Sequence, residues 1–476
     1  MRLNTKQIAE YCAATVLVDA LDPSKLAEGI TWDSREVKPG MVYVAFPGNK
    51  VDGHSFVDDV LRAGAAVVLV MQPPSQATRL LAKEMGVAIL EVASTFTAFT
   101  DLAREWRKHL RATIVAITGS TGKTTTKNLV RDVLSTTYSV VATRGNQNNE
   151  LGVPRTLLEA NPENEYVVLE MGMQGFGELE DLCEFAKPDI TLVTNVGESH
   201  IELLGSRDNI ARAKAEAVAA LPVGNGKAIL NAADERTPLI CETAQVDKRG
   251  IALYYYDGSG NASPDTYAYA TDIELDSQGR PSFTLHLDGR THACHLSLRG
   301  IHNVSNSCAA AALGSICHVP DESILEGIDN CLPEVGRQDV QTSPQGVVVI
   351  NDAYNASPDS MRASLAMFSS LSVKGKRYAV LGDMGELGDF AQSCHEGIGE
   401  IIPTFSLDYL ICVGELAQYI AQAAQKAGFP QDRIFTTNSR VDALAELEAR
   451  LIKGDAVLVK ASHSMELDRV VRGLLN

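Results

Sequence analysis

The amino-acid sequence predicts an α/β protein with parallel sheets distributed over about three domains. Short apolar runs rich in Val and Ile alternate with segments of helical periodicity along most of the chain, which is typical of βαβ units. Residues 283–298 instead alternate apolar and polar side chains around Asp288-Gly289, which indicates an antiparallel hairpin. The chain of 476 residues also exceeds the roughly 100–200 residues of a typical domain.

The apolar runs mark the strands and, with them, the edge where a ligand is expected. They lie at 67–70, 114–117, 167–169, 190–193, 347–350, 378–381, 409–413 and 456–459. Polar residues or glycines follow several of them: Gly119, Glu170, Asn195, Asp352, Gly382, Asp383, Gly414 and Lys460. Ligands of open α/β sheets bind outside the carboxyl ends of the strands, so these positions are candidates for binding.

Two changes of pattern suggest the domain boundaries. Around Ser94 a strand-like run gives way to the helical TAFTDLAREWRKHL, and around Pro320 the Ala-rich helix NSCAAAALGSIC ends. We therefore expect domains at 1–94, 95–320 and 321–476. The first is a small α/β domain, the second a parallel-sheet domain with the hairpin as an addition, and the third a Rossmann-like α/β domain.

Composition excludes several classes of protein. Lys and Arg total 42 against 60 Asp and Glu, a net charge of -18 without a basic cluster, which argues against a nucleic-acid partner. The nine cysteines show no CxxC pair and no zinc spacing, which favours a reducing cytoplasm. The polar residues within MRLNTKQIAEYCAATV and the short apolar runs, well below the ~20 residues of a membrane span, predict neither an export signal nor a membrane helix.

The stretch AITGSTGKTTT, residues 116–126, has the order strand, glycine-rich turn, Lys-Thr and helix that a phosphate-binding P-loop needs. Lys123 would neutralise phosphate charge, and Thr124 can reach a magnesium ion. The usual G-x-x-x-x-G-K-[ST] pattern would place glycine at position 117, where this chain has Ile117. The loop is therefore a shorter variant. Its predicted nucleotide-binding residues are Gly119, Ser120, Thr121, Gly122, Lys123, Thr124 and Thr125.

Lys214 occupies an unusual place in a predicted helix. Ser206 and Asp208 suit the start of this helix, and Lys214 falls on its apolar face. In one interpretation the lysine stem packs while its amine reaches water. In the other, burial lowers the pKa of the amine, and the neutral amine combines with carbon dioxide to form an anionic carbamate.

Other segments, in order along nearly the whole chain, resemble the Mur ligase superfamily, whose members join amino acids to carboxylates with ATP. These segments are GNQNNELGVP, LEMGM, TNVGESHIELLGS, ARAKAEAV, GIHNVSNSCAAAA, GRQDV, INDAYNASPDSMRASL, VLGDMGELG and VKASHSMELDRVV. Within the family, NNELGVP, NDAYNASPDSM and LGDMGELG are similar to the branch that adds D-alanyl-D-alanine to a UDP-N-acetylmuramoyl-tripeptide. The resemblance implies ATP-dependent formation of the pentapeptide precursor of peptidoglycan through an acyl phosphate.

The resemblance also implies roles for single residues. Two magnesium ions are expected: Thr124 and Glu170 would hold the first, while His200 and carbamylated Lys214 would serve the second. The nucleotide would meet Asn303 and Asn306 at the adenine, Arg337 at the terminal phosphates and Asp352 at the ribose, with Tyr354 and Asn355 beside it. The residues expected to be catalytic are Lys123, Lys214, His200 and Arg337.

Both substrates have candidate sites. Residues 32–65 resemble a UDP-sugar-binding domain, with Ser34, Arg35, Asp52, Gly53 and His54 expected near the diphosphate. A DG turn can also be merely a turn. The candidates for D-alanyl-D-alanine are Asp383, Glu386, Lys460, Ser462 and Ser464, for which loop capping is an equally weighted alternative.

Three other functions remain as alternatives. The branch that adds the third stem-peptide residue usually carries a DNPR motif, which this chain lacks, and folylpolyglutamate synthases lack the UDP-binding domain. A P-loop switch or motor usually has the longer loop and an Asp after its second strand, where this chain has Glu170. Members of the resembled branch usually act as monomers, so we expect a monomer.

Overall fold

The computed structural model describes residues 1–48, 51–263 and 265–476. The chain forms two compact units. The first comprises Met1–Ala116, Tyr138–Gly172 and Glu180–Asp189, and the second comprises Ile117–Thr137, Met173–Leu179 and Ile190–Asn476. Helices and strands alternate through both units, which confirms the predicted α/β class.

The strands in chain order are β1 Arg2–Asn4, β2 Thr15–Val18, β3 Leu26–Glu28, β4 Ile30–Thr31, β5 Val42–Val44, β6 Val67–Val70, β7 Ala88–Glu91, β8 Thr113–Thr118, β9 Val140–Ala142, β10 Tyr166–Glu170, β11 Ile190–Val193, β12 Lys227–Asn231, β13 Ala252–Asp257, β14 Ala268–Leu275, β15 Pro281–Leu287, β16 Arg290–His295, β17 Asp339–Thr342, β18 Val348–Asp352, β19 Arg377–Gly382, β20 Tyr409–Val413, β21 Ile434–Thr437 and β22 Ala456–Lys460. Each apolar run that the sequence marks as a strand coincides with one of these, although the run at 347–350 begins one residue before β18.

The α-helices are α1 Thr5–Tyr11, α2 Val57–Arg62, α3 Gln76–Met85, α4 Thr95–Arg107, α5 Lys123–Ser135, α6 Gly152–Glu159, α7 Glu178–Ala186, α8 Ile201–Leu204, α9 Arg207–Ala219, α10 Thr237–Thr243, α11 Val246–Arg249, α12 His302–Ile316, α13 Asp321–Asp329, α14 Pro358–Ser370, α15 Ala391–Ile401, α16 Ala417–Lys426, α17 Arg440–Glu448 and α18 Asp468–Leu475. Short 3₁₀ helices occur at Ser34–Glu36, Gly53–Phe56, Gly388–Phe390, Ile402–Thr404, Gln431–Arg433 and His463–Met465. Among the described residues no helix has both the length and the apolar character to cross a membrane.

In the first unit, one sheet has the strand order β2-β7-β6-β5-β4. Strands β4 to β7 are parallel to their neighbours, and β2 is antiparallel to β7. Apolar side chains of this sheet pack with those of α2 and α3, including Val57, Val60, Leu61 and Ala82. Strands β8, β10 and β9 are neighbours in that order within a larger sheet.

In the second unit, strands β11 to β16 are hydrogen-bonded in sequential order. The ladders β11–β12, β12–β13 and β13–β14 are parallel, whereas β14–β15 and β15–β16 are antiparallel. The predicted hairpin is therefore confirmed as β15 and β16. Its turn residues Asp288 and Gly289 have φ of 50° and 75°, which a tight two-residue turn between twisted strands requires.

The last sheet has the order β17-β18-β22-β19-β20-β21 and is parallel except for β17. Its apolar side chains pack with residues of α17 and α18, such as Ala443, Leu447, Val470 and Leu474. Strands β18, β19 and β22 are neighbours, so the residues that follow them emerge at one edge of the sheet. This edge carries Asp352, Asp383 and Lys460, as the sequence predicts.

Candidate functional site

The glycine-rich turn between β8 and α5 has the conformation of a phosphate-binding loop. Gly119 has φ of 149°, and a Cβ at this position would lie 1.8 Å from Thr194 Oγ1. Gly122 has φ of 77°, and a Cβ there would lie 2.7 Å from Asn306 Oδ1. Both positions therefore require glycine, because neighbouring side chains fill the space that a Cβ would occupy.

Thr194 and Asn195, which follow β11, hold this loop in place by hydrogen bonds. The backbone N–H groups of Ser120 and Thr121 donate to the carbonyl oxygen and to Oδ1 of Asn195, each at 3.0 Å. Thr194 Oγ1 donates to the carbonyl oxygen of Thr121 at 2.6 Å. The sequence marks Asn195 only as a polar strand end, and the structure assigns it to the support of the loop.

The charged end of Lys123 lies over the loop. Its Nζ donates to the carbonyl oxygens of Gly119 at 2.8 Å and Ser120 at 3.4 Å, while Thr124 is buried in the first turn of α5. The N-terminus of a helix and a lysine ammonium together favour an anion at this point. The cradle therefore fits the phosphates of a nucleotide.

Replacing Gly119 with alanine is expected to weaken ATP binding at least tenfold, or about 1.4 kcal/mol. The added Cβ would collide with Thr194 Oγ1 and force the loop to move. Titration calorimetry of ATP gives the Kd. Gly397→Ala is the matched control, since a Cβ at this position in α15 meets nothing within 4 Å. An unchanged Kd for Gly119→Ala would contradict the proposed role of the loop.

Glu170 ends β10 with its carboxylate held in place. The side chain is buried, at 1% exposure, and its Oε1 accepts a hydrogen bond of 2.8 Å from Asn148 Nδ2. Its backbone N–H donates to Thr143 Oγ1 at 3.0 Å. Sequence reasoning assigned no role to Asn148, although it lies within the quoted GNQNNELGVP segment. The structure shows it as the residue that orients Glu170.

Lys214 lies in α9, whose start agrees with the sequence: Ser206 caps it by accepting the Asn209 N–H at 3.2 Å. Lys214 is 1% exposed, so the interpretation in which its amine reaches water is wrong. Burial lowers the pKa of this amine well below its ordinary value, and the charge of Lys123 lowers it further. Asp234 opposes the shift. The neutral amine is therefore favoured, as a carbamate requires.

His200 and Glu386 contact each other through side chains from distant parts of the sequence. His200 Nδ1 lies 2.7 Å from Glu386 Oε2. The close contact with His200 holds the pKa of the Glu386 carboxyl below its ordinary value. The structure thus places a residue expected to serve magnesium beside one expected to grip D-alanyl-D-alanine.

The expected adenine residues form a buried chain. Asn303 Nδ2 donates to the carbonyl oxygen of Arg299 at 2.6 Å, and Asn306 Nδ2 donates to Asn303 Oδ1 at 2.8 Å. Thr126 Oγ1, in the helix after the phosphate loop, donates to Asn306 Oδ1 at 3.2 Å. These bonds connect the start of α12 to α5. Asn306 therefore lies against the loop that the sequence identified, and Asn303 holds Asn306 in place.

Arg337 stacks on an aromatic ring. Its guanidinium carbon lies 4.3 Å from the centre of the Tyr354 ring, and the Tyr354 N–H donates to the carbonyl oxygen of Gly336 at 3.2 Å. A stacked guanidinium keeps its in-plane N–H groups available for phosphate oxygens. The structure thus joins two of the expected nucleotide residues.

Asp352 and Lys460 form a buried ion pair at the edge of the last sheet. Lys460 Nζ donates to Asp352 Oδ2 at 2.7 Å and to the carbonyl oxygen of Asn355 at 3.0 Å. Ser364 Oγ also donates to Asp352 Oδ2, and the Gln338 N–H donates to Oδ1 at 3.2 Å. The expected ribose residue and an expected D-alanyl-D-alanine residue are therefore partners of each other.

Other candidates for the dipeptide support loops. Asp383 Oδ1 accepts the N–H of Ala417, the first residue of α16, at 2.7 Å. Ser462 Oγ accepts the Gly385 N–H at 2.7 Å, whereas Ser464 is exposed. The capping alternative therefore describes Asp383 and Ser462 in this structure.

The expected UDP residues lie in two turns of the first unit. His54 Nε2 accepts the Met71 N–H at 2.9 Å, so Nδ1 carries the proton and donates to Asp52 Oδ1 at 2.7 Å. A Cβ at Gly53 would lie 2.9 Å from the backbone of Phe46, which makes glycine necessary. Asn49 and Lys50, between the two turns, lie outside the described residues.

The other turn, at Ser34–Glu36, presents a charged side chain to solvent. Arg35 forms an ion pair of 2.6 Å with Asp33, and its side chain is 87% exposed. Glu36 forms an ion pair of 2.8 Å with Arg155, which connects the turn to α6. Ser34 begins the turn, and Arg35, which follows it, is the exposed cation of this turn.

The residues expected to serve magnesium lie in separate elements. Within the described ranges no group of three or more His, Cys, Asp and Glu residues could bind a metal by itself. Thr124 and Glu170 offer a hydroxyl and a carboxylate, which suit a hard ion that retains several waters and binds substrate phosphates. Each of these two side chains therefore has the donor chemistry that magnesium prefers.

Comparisons with known proteins match this chain along most of its length. Residues 27–107 match the Mur ligase family catalytic domain, residues 117–314 the Mur ligase middle domain, and residues 336–463 the Mur ligase glutamate ligase domain. The UDP-N-acetylmuramoyl-tripeptide–D-alanyl-D-alanine ligase of Bacillus subtilis is 34% identical over 489 residues, covering 100% of this chain and 99% of the relative.

Solved structures are similar over comparable lengths. A crystal structure of MurF from Acinetobacter baumannii has a TM-score of 0.84 at 29% identity, with 100% of this chain and 99% of that chain covered. MurF ligase from Thermotoga maritima in complex with ADP has a TM-score of 0.75 at 27% identity, with 94% and 97% covered. With three matched domains and a relative that is similar from end to end, this chain belongs to the Mur ligase family.

Proposed function

We propose that this protein uses ATP to join D-alanyl-D-alanine to a UDP-N-acetylmuramoyl-tripeptide. The products are the UDP-N-acetylmuramoyl-pentapeptide precursor of peptidoglycan, ADP and phosphate. The observation that carries the proposal is the similarity along the whole chain to ligases named for this reaction. The phosphate loop supplies the site for the energy source.

The reaction proceeds in two transfers. The terminal carboxylate of the tripeptide attacks the γ-phosphorus of ATP in line, which breaks the bond to the bridging oxygen and yields an acyl phosphate and ADP. The free amine of D-alanyl-D-alanine then attacks the acyl carbonyl. The tetrahedral species loses a proton from nitrogen and expels phosphate, which leaves an amide bond.

The residues of this chain mainly neutralise the charge of the phosphates and position the nucleotide. Lys123 and the phosphate loop from Gly119 to Thr125 bind the phosphate groups, and Arg337 binds the terminal phosphates. Asn303 and Asn306 lie toward the adenine. Asp352, Tyr354 and Asn355 are proposed to contact the ribose. The hydrogen bond from Lys460 to Asp352 holds this edge of the last sheet in place.

Two magnesium ions complete the charge balance in this proposal. Thr124 and Glu170 would serve the first ion, while His200 and a carbamate on Lys214 would serve the second. The carbamate forms when the neutral amine attacks carbon dioxide and releases a proton, which converts the neutral side chain into an anion whose single charge is shared by two oxygen atoms. Bound magnesium would neutralise phosphate oxygens and polarise the phosphorus.

The residues proposed for the two substrates form two separate groups. Ser34, Arg35, Asp52, Gly53 and His54 are proposed for the diphosphate, where Arg35 offers an exposed cation. Of the candidates for the dipeptide, Asp383, Lys460, Ser462 and Ser464 are proposed to line its side of the site. We place the three functional domains at 1–94, 95–320 and 321–476, and propose a monomer that works in the cytoplasm.

A coupled assay of phosphate release tests the function. We expect release only when ATP, a UDP-N-acetylmuramoyl-tripeptide and D-alanyl-D-alanine are all present, with a pentapeptide product detected by mass spectrometry. Each substrate is omitted in turn as a control. Phosphate release that requires neither the tripeptide nor D-alanyl-D-alanine would favour a P-loop switch. Turnover of a UDP-muramoyl dipeptide with a diamino acid would favour the ligase that adds the third residue.

A further inference from the structure

Glu386 and His200 are in contact, and both have an unusual backbone conformation. His200 has φ of 64° and Glu386 has φ of 60°, in the left-handed region that residues with a Cβ rarely adopt. Such conformations persist only where surrounding contacts enforce them, and they cluster at functional sites. The pair therefore warrants a functional explanation.

On the side of the last sheet, two hydrogen bonds hold the loop that carries Glu386. The Met384 N–H donates to His395 Nε2 at 2.9 Å, and the Gly385 N–H donates to Ser462 Oγ at 2.7 Å. Two consecutive N–H groups immediately before Glu386 are thus satisfied by side chains from α15 and from the end of β22. The direction in which Glu386 leaves the loop is fixed.

The opposite side of the loop is held by the segment around His200. The Glu202 N–H donates to the carbonyl oxygen of Glu386 at 3.4 Å. A Cβ at Gly388 would lie 2.7 Å from Glu202 Cγ, so the two segments are in close contact. The Glu386 carboxylate divides its oxygens: Oε1 accepts from Gln174 Nε2 at 3.2 Å, and Oε2 faces His200 Nδ1 at 2.7 Å.

We propose that Glu386 is a positioning residue that acts through His200, and not a contact of the dipeptide. An ionised carboxylate can only accept, so the Nδ1 atom opposite it must carry the imidazole proton. The lone pair of Nε2 then faces away from Glu386 and is available to a metal ion or to a metal-bound water. This inference rests on the proposed function in one respect, the role of His200 toward magnesium.

The tautomer of His200 is a readout that does not depend on turnover. In ¹⁵N spectra of the nucleotide-free protein, we expect His200 to show a protonated Nδ1 and an unprotonated Nε2, with the His200→Gln variant identifying the signals. In Glu386→Ala, the signals should move toward the mixed tautomers of free imidazole. An unchanged tautomer in Glu386→Ala would overturn the inference.

Kinetics separate positioning from dipeptide binding. Glu386→Ala should raise the magnesium concentration for half-maximal activity roughly 10–100-fold, because outer partners of metal ligands contribute this much. The KM for D-alanyl-D-alanine should stay unchanged, and Glu386→Gln, which keeps an acceptor oxygen, should restore part of the loss. A raised dipeptide KM with unchanged magnesium dependence would overturn the inference.

Two controls complete the design. In a His200→Gln background, Glu386→Ala should have little further effect, since the two residues act as one unit. Glu400→Ala removes an exposed carboxylate from α15 and should leave every readout unchanged. If the wild-type protein made no pentapeptide, the proposed function would fail, while the tautomer would still report on the His200–Glu386 contact.

Discussion

Replacing Lys214 with alanine is expected to lower kcat about 10²–10³-fold, the range seen when one preorganised charge-stabilising group is removed from an active site. Lys214 is 1% exposed in α9, and its neutral amine is favoured by burial. Without the amine the proposed carbamate cannot form, so the proposed second magnesium ion would lose an anionic ligand. Steady-state kinetics with saturating substrates and bicarbonate measure the effect.

Chemical rescue tests the carbamate more sharply than loss of activity. Formate or acetate should restore part of the activity of Lys214→Ala, since a small carboxylate can enter the cavity and supply the missing oxygens. Lys214→Met fills this cavity without an amine and should be equally inactive but not rescued. Lys426→Ala, at the exposed end of α16, is the control. Full activity of Lys214→Ala without carboxylate would contradict the proposal.

Replacing Lys460 with methionine is expected to destabilise the protein by about 3–5 kcal/mol, because it leaves a buried carboxylate without its cation. Lys460 is 2% exposed and Asp352 is 7% exposed. Methionine keeps most of the side-chain volume, so the loss reflects charge more than packing. The shift of the urea midpoint, converted with the unfolding slope, measures the change.

The paired variant provides the control for this effect. Lys460→Met combined with Asp352→Asn should recover part of the stability, since a neutral amide no longer needs the ammonium. Arg472→Ala breaks the exposed pair Arg472–Asp468 and should cost no more than about 1 kcal/mol. Equal losses from the exposed and the buried pair would contradict the argument.

The sequence by itself determined the features whose physical causes are local. Apolar runs predicted the parallel strands, and Asp288-Gly289 predicted the hairpin, because turn chemistry and side-chain periodicity act over a few residues. The same holds for α9, which begins after the cap Ser206. The phosphate loop was also readable, since its glycines, lysine and threonine are consecutive.

Only the tertiary structure decided what each candidate side chain contacts. Periodicity placed Lys214 on an apolar face, but its burial depends on the elements packed around α9. Likewise the contacts Asp352–Lys460 and His200–Glu386 join residues that are remote in the chain. A local pattern records which face a residue occupies, whereas burial, pairing and pKa depend on neighbours that the fold brings from elsewhere in the chain.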